Sequence, residues 1–113
     1  MNQFLHALAR VAQMKRQRDL LLQRASKGQL NSIRNICFNL CKKKFNLSAK
    51  TKRKLKVYCK DIRDLASKKK LKSTTGLRRR LLQRGGFLPI LLPAILGLLS
   101  SVGGKVLERA IGV

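Results

Sequence analysis

The sequence predicts an all-α protein made of a long basic part and a short apolar part. Over residues 1–67, apolar residues recur every three or four positions, which is the spacing of an amphipathic helix. The 113-residue chain holds 27 Lys and Arg against four acidic residues, and its formal net charge is +23. Nearly all of this charge lies in residues 1–86. We therefore expect an N-terminal helix, a small helical hairpin, a flexible basic linker and an apolar C-terminal helix.

Residues 1–28 are predicted to form an amphipathic basic helix. Phe4, Leu5 and Leu8 fall at helical spacing, and Gly28 stands where a helix C-cap favours glycine. The apolar run is short and interrupted by cations, so we expect no signal peptide here.

Residues 29–67 are predicted to form a basic helical hairpin, with helices over 29–44 and 49–67. A short loop joins them, and Ser48 is the expected N-cap of the second helix. The apolar stripes of the two helices would face each other and leave the outer faces cationic. The residues of this predicted seam are Ile33, Cys37, Leu40, Leu55, Ile62 and Leu65.

Residues 68–86 are predicted to be a flexible basic linker, and residues 87–113 an apolar segment. Thr75 is the expected cap of a short helix within the linker. In the apolar segment 18 consecutive residues carry no charge, and Pro93 would remove a helix hydrogen bond. An unbroken helix of that length spans about 27 Å, slightly less than the ~30 Å of a bilayer core. The sequence leaves open whether this segment contacts a membrane or another part of a protein. The residues predicted to make that contact are Phe87, Leu88, Ile90, Leu91, Leu92, Ile95, Leu96, Leu98 and Leu99.

The residues that usually carry catalysis are scarce. Four acids and one histidine, His6, provide no paired-carboxylate site and no Ser/His/Asp set, and no glycine-rich phosphate loop is present. We therefore expect a non-enzyme without a cofactor. Cys37, Cys41 and Cys59 lack a fourth zinc ligand nearby in the sequence, so no metal site is expected. We interpret the cysteines as small core residues, with a disulfide from Cys59 to either of the others as the alternative.

Runs of Lys and Arg are the strongest functional signal. A net side-chain charge of +22 over residues 1–86 exceeds what solubility requires, and a polyanion would neutralise it. Four Phe, one Tyr and no Trp leave few platforms for unpaired bases, which favours duplex DNA. No base-reading motif is present, so contacts to phosphate without sequence preference are expected. The predicted DNA-binding residues are Lys42, Lys43, Lys44, Lys52, Arg53, Lys54, Lys68, Lys69, Lys70, Lys72, Arg78, Arg79 and Arg80.

The stretch QRGGFLPILLPAILGLLSSVGG, residues 83–104, resembles one protein family. It is similar to the C-terminal part of adenovirus core protein X, the family of precursors of the mu peptide. Those precursors have a basic DNA-condensing segment, then an R-G-G-apolar-L-P core and an apolar tail with a second proline. The adenovirus maturation protease cuts after Gly-Gly when a suitable residue stands four positions before the scissile bond.

The resemblance implies a virion core protein of an adenovirus-like virus or element, which binds and condenses double-stranded DNA in the virion and the host nucleus. It also implies that the viral maturation protease cuts the chain, while the apolar tail contacts a membrane or the capsid. The implied cleavage site comprises Gln83, Arg84, Gly85, Gly86 and Phe87, with the cut after Gly86. The basic part is longer and richer in lysine than the mu segment of the family, so residues 1–86 are expected to act together.

Because like charges oppose a compact state, we expect the helices to be partly disordered without DNA. Two alternative functions remain open. One is a cationic membrane-active protein with an inserting tail, and the other is a basic protein associated with RNA or ribosomes.

Overall fold

The computed structural model describes residues 2–102, with side chains over 3–97. These residues contain seven α-helices and one short 3-10 turn. No strand occurs among these residues, so the all-α prediction is confirmed for them. In chain order the elements are α1 (Asn2–Val11), α2 (Lys15–Arg24), α3 (Lys27–Cys41), α4 (Ala49–Lys56), α5 (Cys59–Ala66), α6 (Thr74–Arg84), the 3-10 turn (Gly85–Phe87) and α7 (Leu88–Val102).

The predicted N-terminal helix is divided into α1 and α2. After α1 the N–H groups of Ala12 and Met14 bond back to the carbonyls of Ala9 and Val11. Met14 then adopts an extended backbone, which stops the helix before α2 begins. Arg18 of α2 is buried, and its Nη1 donates to the Ala12 carbonyl at 2.8 Å. This hydrogen bond ties the start of α2 to the end of α1.

The predicted helix end at Gly28 lies instead in the first turn of α3. Ser26 is the N-cap of α3, and its Oγ accepts from the Gln29 N–H at 3.2 Å. The Gln29 side chain accepts in return from the Ser26 N–H at 2.9 Å. This capping box pairs two N–H groups that a helix start otherwise leaves without partners, so it defines a beginning rather than an end.

α3 ends at Cys41, three residues earlier than predicted, because the backbone turns away there. Lys43 has a left-handed φ of 58°. Its N–H donates to the Leu40 carbonyl, and the Lys44 N–H donates to the Asn39 carbonyl, each at 3.0 Å. These two bonds form a Schellman motif, in which the left-handed position is usually glycine.

The second helix of the predicted hairpin is divided into α4 and α5 by Val57 and Tyr58. Ser48 caps α4 as predicted, since its Oγ accepts from the Thr51 N–H at 3.2 Å. The Tyr58 ring packs against Phe87, with the ring centroids 6.3 Å apart. The break allows α4 to contact α7 while α5 contacts α3.

One hydrophobic core receives side chains from all seven helices. Five of the six residues of the predicted seam are buried in it, and Leu40 is half-buried at its edge. The radius of gyration is 12.8 Å, which matches the ~13 Å of a compact domain of about 100 residues. The interior is therefore closed around one centre.

The segment predicted as a flexible linker contains α6. Ser73, rather than Thr75, is its N-cap, and the Ser73 Oγ accepts from the Gly76 N–H at 3.0 Å. Leu77 and Leu81 of α6 are buried in the common core. These two apolar residues, one helical turn apart, fix the segment to the rest of the protein.

The apolar segment from Phe87 packs into the same core. α7 continues through Pro93 and contacts both α1 and α4. Five of the predicted contact residues are buried, and Ile90 and Leu96 are half-buried; the buried ones are Phe87, Leu88, Leu91, Leu92 and Ile95. The side chains of Leu98 and Leu99 lie outside the described ones. Among residues 2–102, none of the helices combines the length and the apolar character that spanning a membrane requires.

Candidate nucleic-acid interface

Three arginines occupy structural positions in this fold, whereas the predicted DNA-binding lysines lie on its surface. The guanidinium groups of Arg18, Arg34 and Arg78 each donate to backbone carbonyls at or just after helix ends. The lysines of the predicted DNA-binding set are all exposed. A guanidinium group suits hydrogen bonding to these carbonyls because its planar fork offers several N–H donors at once and keeps its charge. A Lys or Arg run in the sequence therefore mixes structural groups with surface charge.

Two members of the predicted set are used inside the protein. Arg78 donates through Nη2 to the Ala25 carbonyl at 2.6 Å and through Nε to the Leu22 carbonyl at 3.3 Å, so it caps the end of α2. Arg80 donates to an Asp64 carboxylate oxygen at 3.0 Å. Arg79, which stands between these two arginines, is exposed. We therefore assign Arg78 and Arg80 to the fold and keep Arg79 as a surface cation.

Asp64 is the buried acid around which α5 and α6 are joined. Its carboxylate lies 3.0 Å from Arg80 Nη1 and 3.3 Å from Lys70 Nζ. Burial by itself raises the pKa of Asp64, but hydrogen bonds and charge from Lys70 and Arg80 outweigh burial and lower that pKa. Asp61 lies 3.9 Å from Arg80 and 4.0 Å from Arg84. Lys70 of the predicted set thus has an acidic partner as well as an exposed side chain.

α4 presents a dense patch of exposed charge. Five of its eight residues are Lys or Arg, all of them exposed, and only Leu55 is buried. Lys50, Arg53 and Lys54 stand three and four positions apart, so they share one helix face. None of the ion pairs formed within residues 2–102 involves them. The prediction named Lys52, Arg53 and Lys54, and the helical period would have added Lys50.

The structure brings two of the predicted basic runs together. Lys43, Lys44 and Lys52 border one depression of about 540 Å³ between the end of α3 and α4. Lys42 is directed elsewhere, since its Nζ lies 5.5 Å from the centroid of the Phe38 ring. That distance is within reach of a cation–π contact. The segment that follows α3 and Lys52 of α4 therefore offer cations to one region.

A second group of cations lies between other elements. Lys68 and Lys72 line a separate depression together with Lys27 and Arg34. The latter two were missed by sequence reasoning, because they are isolated cations outside any basic run. Lys69 is exposed nearby in the chain.

The three cysteines are free thiols and differ in environment. Cys37 is buried, as expected of a core residue, whereas Cys41 and Cys59 are exposed. Burial, and then the neighbouring Cys41, raises the pKa of the Cys37 thiol. Cys41 and Cys59 border the same cavity of about 340 Å³. Within residues 2–102, no cluster of three or more His, Cys, Asp or Glu could hold a metal ion.

The implied cleavage site adopts a folded conformation. Gln83 and Arg84 are exposed at the end of α6, and the two glycines begin the 3-10 turn. The side chain of Phe87 is completely buried. A Cβ added at Gly86 would lie 3.6 Å from the Tyr58 ring, which is ordinary contact. The sequence predicted an exposed, flexible junction. In the structure Phe87 packs into the core, and its burial holds the bond after Gly86 in an ordered turn.

Comparisons of the chain with protein-family models, with curated proteins and with solved structures found no match. The fold and the surface define a small, all-helical protein with a strongly cationic exterior. The resemblance to adenovirus core protein X remains a hypothesis based on residues 83–104.

Proposed function

We propose that this protein is a non-enzymatic virion core protein that binds and condenses double-stranded DNA without sequence preference. The observation that supports the proposal best is the face of α4, where Lys50, Arg53 and Lys54 are exposed and form no ion pair within residues 2–102. Phosphate contact is the chemistry that such a face suits. A place in the virion and the host nucleus belongs to the same proposal and rests on the sequence resemblance.

The proposed binding mechanism is the release of counterions. α4 has eight residues, so its axis is about 12 Å long, comparable with a few phosphate spacings along a duplex. Lys50, Arg53 and Lys54 of α4 line one depression, and Lys68 and Lys72 line another. Two contact regions on one protein would allow it to bridge two duplexes, which condensation requires.

The test compares two variants that lose the same charge. The triple substitution Lys50→Gln, Arg53→Gln, Lys54→Gln removes the α4 face, and Arg10→Gln, Arg16→Gln, Arg24→Gln removes three exposed arginines from α1 and α2. Both are titrated with two unrelated duplexes at several salt concentrations. We expect the α4 variant to lose about 2–3 units of salt slope, since each phosphate contact contributes about 0.9, and the control to lose less.

Two results would contradict the proposed binding, and a third would contradict the role of the α4 face. A flat salt response of the native protein would contradict phosphate contact. A preference of much more than tenfold for one duplex would contradict binding without sequence preference. Equal losses in the two triple variants would show that net charge, rather than the α4 face, determines affinity.

We also propose that a maturation protease cuts after Gly86 only when the turn opens. A protease cleft requires an extended chain, whereas Phe87 is buried beside Tyr58. A synthetic peptide covering residues 80–90 should therefore be cut much faster than the folded protein by an adenovirus-type protease. Mass spectrometry identifies the cut by a product that begins at Phe87. An uncut peptide would show that the motif is not a substrate, and equal rates would show that folding does not protect the bond.

The alternative of a membrane-inserting tail requires α7 to leave the core. Leu88, Leu91 and Leu92 would have to exchange complete burial in the protein for lipid contact. Vesicles of anionic lipid provide the test: insertion would unfold the remaining helices, whereas surface binding through lysine would leave the helical circular dichroism intact.

A further inference from the structure

A cationic depression of about 260 Å³ lies where the start of α3 meets the start of α6 and the segment that precedes α6. Its polar lining residues are Lys27, Asn31, Arg34, Lys68, Lys72 and Thr74. Four of these carry a positive charge, and none of the described residues that line the depression is acidic. Like charges that converge on one hollow repel one another, so an anion placed there would relieve the repulsion.

Arg34 differs from a surface cation because the fold holds its guanidinium in place. Only 6% of the residue is exposed. Its Nε donates to the Leu65 carbonyl at 3.0 Å, and its Nη2 donates to the Leu71 carbonyl. These bonds join α3 to the end of α5 and to the segment that carries Lys68 and Lys72. The cations of the depression are therefore brought together by the fold around a fixed charge.

The charge of Arg34 has no acidic partner within residues 2–102. Burial lowers the pKa of Arg34, but a guanidinium remains protonated at neutral pH. A buried charge is compensated best by an opposite charge. The two carbonyls satisfy hydrogen bonds of Arg34 without neutralising it.

The donors around the depression match a tetrahedral anion. Each lysine ammonium offers three N–H donors, the Asn31 amide offers two, and the Thr74 hydroxyl offers one. They come from two helices and one connecting segment, so they can approach a ligand from several directions. A phosphate group suits such a set better than a planar carboxylate does, because its oxygens point in tetrahedral directions. A backbone phosphodiester offers two unesterified oxygens and one negative charge, and free phosphate or pyrophosphate offers more of both.

We propose that this depression is a discrete binding site for one phosphate group. The identity of this group rests on the proposed DNA-binding function: it is a backbone phosphate of duplex DNA. It fixes the position of the protein on the duplex, while the cations of α4 supply general attraction. Free phosphate or pyrophosphate has the same chemistry and would occupy the same site.

The experiment compares two double variants of the full chain that remove the same charge. Lys27→Gln with Lys72→Gln changes the depression, and Lys50→Gln with Lys54→Gln changes the face of α4. All four lysines are exposed, so both variants should fold, which circular dichroism checks. The single substitution Lys68→Gln repeats the test with a smaller change to the depression.

Pyrophosphate, titrated by calorimetry, is the first probe. We expect the variant of the depression to bind it about tenfold or more weakly, because it loses at least one charge-assisted hydrogen bond. The α4 variant should stay within about twofold of the native protein. Equal weakening in the two variants would overturn the site, because loss of net charge would then explain the result.

Duplex DNA, titrated over a range of salt, is the second probe and separates the two proposals. Selective loss of pyrophosphate binding in a protein that does not bind DNA would support the site for free phosphate and refute the DNA function. Salt-dependent DNA binding without any selective effect on pyrophosphate would support the DNA function and refute the site. Selective effects on both ligands would support the anchored phosphate.

Discussion

α4 and α7 contact each other, but they have opposite compositions. α4 carries five cations in eight residues and buries only Leu55. α7 carries no charge between Leu88 and Val102, and it buries Leu88, Leu91, Leu92 and Ile95. The comparison shows that the apolar segment is a structural part of the basic protein. A helix as charged as α4 buries little of its own surface, so its position depends on the helix beneath it.

The free energies of side-chain burial support the assignment of α7 to the core and of α4 to the surface. Burying a leucine or isoleucine side chain stabilises a protein by about 1.5–3 kcal/mol, and α7 buries four such side chains among the described ones. Total stability in proteins of this size is typically ~5–15 kcal/mol. Removal of α7 would therefore eliminate most of the net stability, and the repulsion among surface cations would act in the same direction.

The largest predicted effect comes from a substitution in the buried face of α7. Leu91→Ala should lower the free energy of unfolding by about 2–5 kcal/mol, because it leaves a cavity in a closed core. Lys54→Ala in α4 should change it by less than about 0.5 kcal/mol, because the side chain is exposed. Urea denaturation followed by circular dichroism measures both values. Similar values for the two variants would show that α7 does not carry the core.

An intermediate effect concerns the charged groups that the fold uses internally. Asp64→Asn should destabilise the protein by about 1–2 kcal/mol, less than for a fully buried ion pair, because Arg80 and Lys70 are partly exposed. In the native protein the lowered pKa of Asp64 stabilises the fold fully above about pH 4, and this contribution disappears as pH falls through the lowered pKa. The variant should lack this part of the acid dependence.

Thermal unfolding between pH 2 and pH 7 measures that difference. Asp19→Asn is the control, since Asp19 pairs with Lys15, whose side chain is 72% exposed. It should change the stability by less than about 1 kcal/mol. An acid profile of Asp64→Asn that coincides with that of the native protein would contradict the internal role of this carboxylate.

The smallest predicted effect concerns the turn that leads from α3 towards α4. Lys43→Gly should stabilise the protein by about 1 kcal/mol, because glycine adopts the left-handed conformation without the penalty of a Cβ. Lys44→Gly removes the same charge from the next position and should bring no such gain. Denaturation midpoints at low and high salt separate the backbone effect from charge repulsion. An equal gain in both variants would attribute it to charge alone.

The helical class and several local features could be predicted from the sequence. Apolar spacing predicted five residues that are buried in the common core, and the Ser48 cap followed from its position before a helical run. Such signals lie within a few residues of the structure that they define. The break at Tyr58 could not be predicted in this way, because its ring packs against Phe87, which lies far along the chain.

The candidate interface was predicted only in part, for a similar reason. A run of cations marks positive charge, but it does not reveal which guanidinium finds a partner inside. Arg78 reaches carbonyls 53 and 56 positions away, and Arg34 reaches a carbonyl 31 positions away. The glycines at 85 and 86 suggested a linker by local composition, whereas burial of Phe87 is decided by the whole core.

The position of the Gly86–Phe87 bond has a consequence for how the protein would respond to dilution. If the proposed cut occurs there, α7 remains in place only through its packing. An intramolecular contact, with an effective concentration in the millimolar range for short connections, becomes an association between two molecules. In a crowded particle the two pieces would stay together, whereas release into a larger volume would separate them. The fraction of molecules that keep α7 in the core would then rise with the concentration of the two pieces.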